Sequence, residues 1–239
     1  MKKIAFTILF FACVASAFAQ SNGFRFGIQA SPMYTWMGNN SDNDAVVGDG
    51  GNIAFKLGGM GEWYLDSNDK EMFAIRFGLN MTFNQGGSLL FNTAPDSTVL
   101  FADSQPDLTS TATPSANFKF QFIELPIALK MRTNEIGSAG IRYTFEVPVI
   151  TVSIPVASRG TINDSDDFKV GKDTGFLNIS WGLGGGLEYP LTTDGVSIVG
   201  GIYYQSGIIN SYYGKTGLDS IDKSKSTING ITLRLGILF

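Results

Sequence analysis

The chain has 239 residues, 44% of them hydrophobic, with 29 Gly, 19 Phe, no His and a formal net charge of −4. Beyond the N-terminal segment no apolar run reaches the roughly 18 residues of a membrane-crossing helix, which excludes a helical membrane protein. A mildly acidic chain is a poor nucleic-acid binder, and without His the commonest general acid–base group is missing.

In chain order, Met1-Lys2-Lys3 is a short basic start, Ile4 to Ala17 an apolar core, and Ala17-Phe18-Ala19 an A-x-A site before Gln20. These predict a secretory signal peptide over 1–19 and a mature domain over 20–239. Cys13 lies in the leader, so the mature chain has no disulfide or thiolate. Loss of Lys2 and Lys3 moves the net charge from −4 to −6.

Eight segments with period-two alternation follow, the pattern of strands with one apolar face. The first, 24–36, sets Phe24, Phe26, Ile28, Ala30, Pro32, Tyr34 and Trp36 against Arg25, Gly27, Gln29 and Ser31. A loop over 37–51 leads to the second, 52–65, with Ile53, Phe55, Leu57, Trp63 and Leu65 on its apolar face. After the turn Asp66–Lys70 comes the cleanest alternation, 71–83, with Phe73, Ile75, Phe77, Leu79, Met81 and Phe83 on one side. The longest loop is expected over 84–116, where Leu89-Leu90-Phe91 and Val99-Leu100-Phe101 are candidates to extend the hairpin.

The fourth segment, 117–131, alternates Phe118, Phe120 and Phe122 with Lys119 and Gln121, then Ile123, Leu125, Ile127, Leu129 and Met131 with Glu124, Pro126, Ala128 and Lys130. The adjacent Phe122 and Ile123 predict a slip of phase and a β-bulge there. A turn over 132–138 precedes the fifth, 139–154, and a loop over 155–174 precedes the sixth, 175–190. The seventh spans 196–208, a loop 209–226, and the last strand runs from Ile228 to the terminal Phe239.

The connections alternate long and short, which predicts an all-β fold: an eight-stranded, antiparallel, up-and-down transmembrane β-barrel with long extracellular loops and short periplasmic turns. Arg25, Lys56, Glu62, Arg76, Lys119, Glu124, Lys130, Arg142, Glu146, Glu188 and Arg234 are expected to point inward. Eight strands leave an interior just wide enough for side chains, so these charges are read as a paired structural core rather than a pore.

No catalytic, cofactor-binding or metal residues are assigned. Ser-His and Cys-His nucleophiles are excluded, and zinc lacks its usual ligands. A carboxylate pair among Glu124, Glu146 and Glu188 stays formally open, although salt bridges explain them more simply. The acidic stretches Asp42–Asp44 and Asp164–Asp167 do not match the calcium-loop template. Gly182–Gly186 lies in a strand, with no helix N-terminus to bind a nucleotide phosphate.

The terminal alternation ending in Phe239 resembles the C-terminal signal of bacterial outer-membrane barrels. Phe122-Ile123-Glu124-Leu125-Pro126-Ile127-Ala128-Leu129-Lys130 and the Gly-rich strand from Gly182 to Glu188 resemble the PorT-like outer-membrane barrels of Bacteroidota. That resemblance implies an outer-membrane location, one branch of the family serving the type IX secretion system. The expected role is a non-enzymatic structural or interaction protein. Its expected partners are outer-membrane lipid, the barrel assembly machinery at the last strand, and a protein at the outer loops. A secretion accessory, a lipocalin-like periplasmic ligand binder and a passive pore are the other readings.

Overall fold

The computed structural model describes residues 23–39, 46–65, 72–91, 115–162, 168–192, 195–213 and 225–239. The leader over 1–19, the turn Asp66–Lys70, residues 92–114 of the long loop, and the stretches Asp42–Asp44 and Asp164–Asp167 lie outside them.

Eight long antiparallel strands make one sheet. They are β1 (Phe24–Asn39), β2 (Val46–Tyr64), β3 (Phe73–Phe91), β4 (Ser115–Arg132), β5 (Arg142–Ile162), β6 (Asn178–Pro190), β7 (Ser197–Gly207) and β8 (Lys225–Leu238). Each pairs with the next, and β8 returns to β1 with Ile237 opposite Ile28 and Ile228 opposite Met37. The barrel is therefore closed, and among the described residues no strand of the wall is left with an open edge. One row of cross-strand partners runs Phe26, Gly61, Phe77, Ile127, Ile150, Trp181, Ser206, Asn229 and back to β1 at Trp36. It returns ten residues from its start, the stagger that tilted strands need to close. Two-residue strands at Phe168–Lys169 and Tyr212–Tyr213 and a 3-10 turn at Gly171–Asp173 sit beyond the long-loop ends.

The strands outrun their expected limits at that end. Val46–Gly51, Asn84–Phe91 and Pro155–Ile162 are strand rather than loop. Val46 pairs with Phe91 and Val47 with Leu90, so Leu89-Leu90-Phe91 does extend the second hairpin. Val99–Phe101 lies outside the described residues. The sequence limits fell short because they followed an apolar outward face, and ladder pairing continues where that face turns polar.

The expected bulge is present as a register shift at Gln121/Phe122, but the expected slip of phase in β4 is corrected. Its even positions from Ala116 to Arg132 face inward throughout, and Ile123, Leu125, Ile127 and Leu129 face outward. What changes at Phe122–Ile123 is chemistry. Toward the loops the inner face is Phe118, Phe120 and Phe122 and the outer face Lys119 and Gln121; toward the turns the inner face is polar and the outer apolar. The extra residues of the neighbouring register shifts lie on the partner strands. One falls between Thr82 and Gln85 of β3, where Asn84 takes φ 61°, a left-handed conformation that Asn tolerates, and donates to Ile53 O at 2.6 Å. The other is Val156 of β5, between Pro155 and Ala157.

Candidate functional site

The residues with chemical potential lie inside the barrel, in two storeys. In the storey near the short turns, six cations among the described residues face four carboxylates. Alternation along seven of the strands aims them inward, away from bulk water, where each charge needs a partner.

Glu188 of β6 accepts from Arg25, from Lys130 Nζ at 3.1 Å and from Arg132 Nη1 at 3.1 Å. Lys130 also donates to both oxygens of Glu62, at 2.7 and 2.8 Å, and the Tyr64 hydroxyl donates to Glu62 Oε2 at 2.8 Å. Arg132 lies over the Tyr64 ring at 4.5 Å. Arg25 donates in addition to Gly195 O and Ser197 Oγ, tying β1 to the last short turn.

One level further in, Glu146 is the hub. Arg76 Nη1 reaches its two oxygens at 2.6 and 2.8 Å, Arg234 Nη1 donates at 2.7 Å, and the Tyr203 hydroxyl at 3.0 Å. Arg234 stacks on the Tyr203 ring at 3.5 Å. That ring sits over Gly184, where an added Cβ would collide with it, so the glycine makes room for a large neighbour. Arg76 Nη2 donates to Gln29 Oε1, and Gln29 Nε2 to Asn80 Oδ1. Above them Lys56 Nζ lies 2.6 Å from Glu124 Oε2.

Next to this pair the register places Glu124 opposite Ser153 and Ser153 opposite Asn178. Glu124 Oε1, Ser153 Oγ and Asn178 Oδ1 are buried without a hydrogen-bond partner among the described residues. Such oxygens fit ordered water, and a neighbouring void of ≈30 Å³ around Gln29, Lys56, Asn80 and Tyr203 has room for it. A second void, beside Glu62, Arg76 and Glu146, measures ≈10 Å³.

The storey near the long loops is apolar. Phe118, Phe120 and Phe122 stack along β4 with ring centroids 6.2 and 5.8 Å apart, and Tyr212 leans on Phe118 at 5.0 Å. Met37, Leu89, Phe91, Ile162, Val170 and Ile228 complete a fully buried cluster. A wholly polar interior was expected, so this is a correction. Where water lies outside, the inside must be apolar to be stable.

Of the charges expected inside, Arg25, Lys56, Glu62, Arg76, Glu124, Lys130, Glu146, Glu188 and Arg234 are there. Lys119 instead points outward between two inward phenylalanines, and Arg142 lies at the rim, paired with Glu135 at 2.8 Å. Arg132, expected in a turn, is buried at the end of β4. Its signal was available, since even positions carry on inward from Lys130. Tyr64 and Tyr203 also face inward, Tyr64 continuing the side of β2 that carries Lys56 and Glu62.

Glu124, Glu146 and Glu188 are each held by cations, and the register spreads them over β4, β5 and β6. Among the described residues no group of three or more His, Cys, Asp and Glu is placed to hold a metal ion. Gly182–Gly186 lies within β6, in the wall.

The outer surface complements the inside. Ile28, Leu57, Leu79, Ile127, Phe145, Leu187, Ile202 and Leu235 are exposed, one on each strand in turn, within a belt of large apolar side chains. On the loop side of the belt Tyr34, Trp36, Tyr204 and Trp181 touch one another in sequence, centroids 6.0 to 6.5 Å apart. On the turn side Trp63, Tyr143, Tyr189 and Phe239 are exposed.

No family model and no curated protein matches the chain. Among solved structures it is similar to Neisserial surface protein A at 14% identity, over 89% of this chain and 95% of that one, with a TM-score of 0.41. It is similar to the attachment invasion locus protein Ail of Yersinia pestis at 9% identity, over 90% and 97%, TM-score 0.36. It is also similar to a major outer membrane protein of Thermus thermophilus at 12% identity, over 91% and 100%, TM-score 0.42.

Proposed function

We propose that the chain is an integral barrel of the bacterial outer membrane, without enzymatic activity, that presents its long-loop end to partners and does not conduct. The observation that carries this reading is the inversion along β4. A strand that is apolar outside and charged inside over one half, and the reverse over the other, suits a wall half in lipid and half in water. Flanking aromatic side chains support it, since such rings favour both membrane interfaces. The ion-paired storey and the stacked phenylalanines favour a closed lumen.

The motifs at Phe122–Lys130 and Gly182–Glu188 favour a place among the PorT-like barrels, and through them a secretion accessory is a second reading. The lipocalin-like reading is disfavoured by the exposed apolar belt, which a soluble barrel would leave in water.

Fractionation followed by electrophoresis with and without boiling tests the proposal. Recovery in outer membranes with a heat-dependent mobility shift is expected. Recovery as a soluble periplasmic protein would overturn it. Planar bilayers containing the folded protein are expected to show no steady conductance.

A further inference from the structure

Resting on the membrane reading above, we infer that the outward wall of β1, β8, β7 and β6 binds the uncharged sugar headgroup of a glycolipid of the outer leaflet. Register sets Trp36 opposite Asn229, Asn229 opposite Ser206 and Ser206 opposite Trp181, so one row reads ring, amide, hydroxyl, ring. The next row toward the turns is Tyr34, Ile231, Tyr204 and Leu183. Alternation points both rows outward, and Tyr34, Tyr204 and Trp181 are exposed. The Tyr34 and Trp36 rings lie 33° apart and the Trp36 and Tyr204 rings 40°, whereas Trp181 meets Tyr204 edge-on at 78°. Three tilted rings thus adjoin one upright ring. Anchoring in a membrane interface calls for aromatic side chains spread around a barrel, but these four gather in contact on β1, β7 and β6.

Between the two tryptophans the wall is polar, and its amide is held in one orientation. Asn229 Oδ1 accepts from Ser206 Oγ at 2.8 Å and from the Gly207 N–H at 3.3 Å. A backbone N–H only donates, so the atom it meets is the amide oxygen and the Asn229 amide cannot turn over. Asn229 Nδ2 is thereby left as a fixed donor, and it makes no hydrogen bond among the described residues. No charged side chain stands in either row. An anion finds no cation here, and a bare acyl chain would cover Asn229 Nδ2 without supplying an acceptor. A sugar ring meets both chemistries. Its C–H face suits the negative face of an aromatic ring, and its hydroxyl edge offers acceptors to Asn229 Nδ2 and a donor to Ser206 Oγ. Ile231 and Leu183, both exposed, continue the apolar belt directly below the row. A sugar seated on the row therefore has its acyl chains beside that belt, which favours a glycolipid over a free saccharide.

The test is native mass spectrometry of the folded protein in a polyoxyethylene detergent, which carries no sugar. The probes are digalactosyldiacylglycerol, diacylglycerol and phosphatidylglycerol with the same acyl chains, and the free digalactose disaccharide. The wild type is expected to retain the galactolipid over the other two lipids. Retention should fall at least about tenfold in W36A/W181A, which removes two ring contacts. Asn229→Leu keeps the volume of the side chain and is expected to fold as the wild type does, yet to lower retention about fivefold through the lost hydrogen bond. It carries the test if the double variant does not fold, and a wall that serves only as a membrane anchor would leave its retention unchanged. Unchanged retention by either variant, equal retention of diacylglycerol or phosphatidylglycerol, or binding of the free disaccharide as tight as that of the galactolipid would each overturn the site. The heat-dependent mobility shift is read on the same samples. A wild type without it overturns the membrane reading, whereas a shift without sugar selectivity overturns this inference alone.

Discussion

Glu146 shows how tightly single residues are coupled inside the barrel. Its carboxylate serves Arg76, Arg234 and the Tyr203 hydroxyl at once. Glu146→Ala leaves the buried Arg76 and the part-buried Arg234 guanidinium groups without their carboxylate, and about 3–5 kcal/mol of stability is expected to go. Urea unfolding of the barrel refolded in lipid vesicles reads this as a lower midpoint. The exposed Glu135, paired with Arg142 at the rim, is the contrast: Glu135→Ala is expected to cost no more than ~1 kcal/mol. A Cβ at Gly184 would strike the Tyr203 ring, so Gly184→Val is expected to displace that hydroxyl from Glu146 and lower the same midpoint.

The strand as an element is best seen in β4, where one unbroken alternation changes chemistry halfway along. Ile127 lies in the stretch that is apolar outside, which the proposed function places in lipid, and Gln121 in the stretch that is polar outside, both pointing outward. Ile127→Lys is therefore expected to cost roughly 2–4 kcal/mol, the depth-dependent penalty of a cation facing hydrocarbon, and Gln121→Lys almost nothing. Comparing the two refolding midpoints in vesicles checks where the boundary falls. On the inner face the expectation reverses. Phe120→Ala opens the aromatic stack between Phe118 and Phe122 and is expected to cost about 3–5 kcal/mol. Hydrogen exchange should quicken first in the loop-side halves of β3, β4 and β5, leaving the turn-side halves protected.

At the scale of the whole molecule, closure is what separates the long loop from the wall. β3 ends at Phe91 and β4 begins at Ser115, already paired with each other through Leu90 and Ser115. Replacing 92–114 by a short turn is thus expected to keep the heat-dependent mobility shift while abolishing any partner binding at that end. Loss of the shift would make the loop part of barrel assembly.

How much of this was legible in the chain follows from physics. Alternation with an apolar face is a local property, so Phe73 to Phe83 and Ile231 to Phe239 announce strands and their outward faces without a structure. The strand number, the up-and-down order and nine of the inward charges follow from repeating that reading. Pairing and environment are not local. Phe118 to Phe122 carry the same apolar pattern as Ile123 to Met131 yet face the opposite way relative to solvent, because only the assembled barrel decides whether water lies outside or inside a given level. Likewise the partners of Glu146 come from β3, β7 and β8, and the row Trp36, Asn229, Ser206 and Trp181 exists only through register. The sequence by itself determined the strands and their apolar outward sides, since these depend on neighbours two residues apart. The tertiary structure alone decided the ion-pair network, the apolar upper storey and the outer aromatic row, since these depend on residues that only closure brings together.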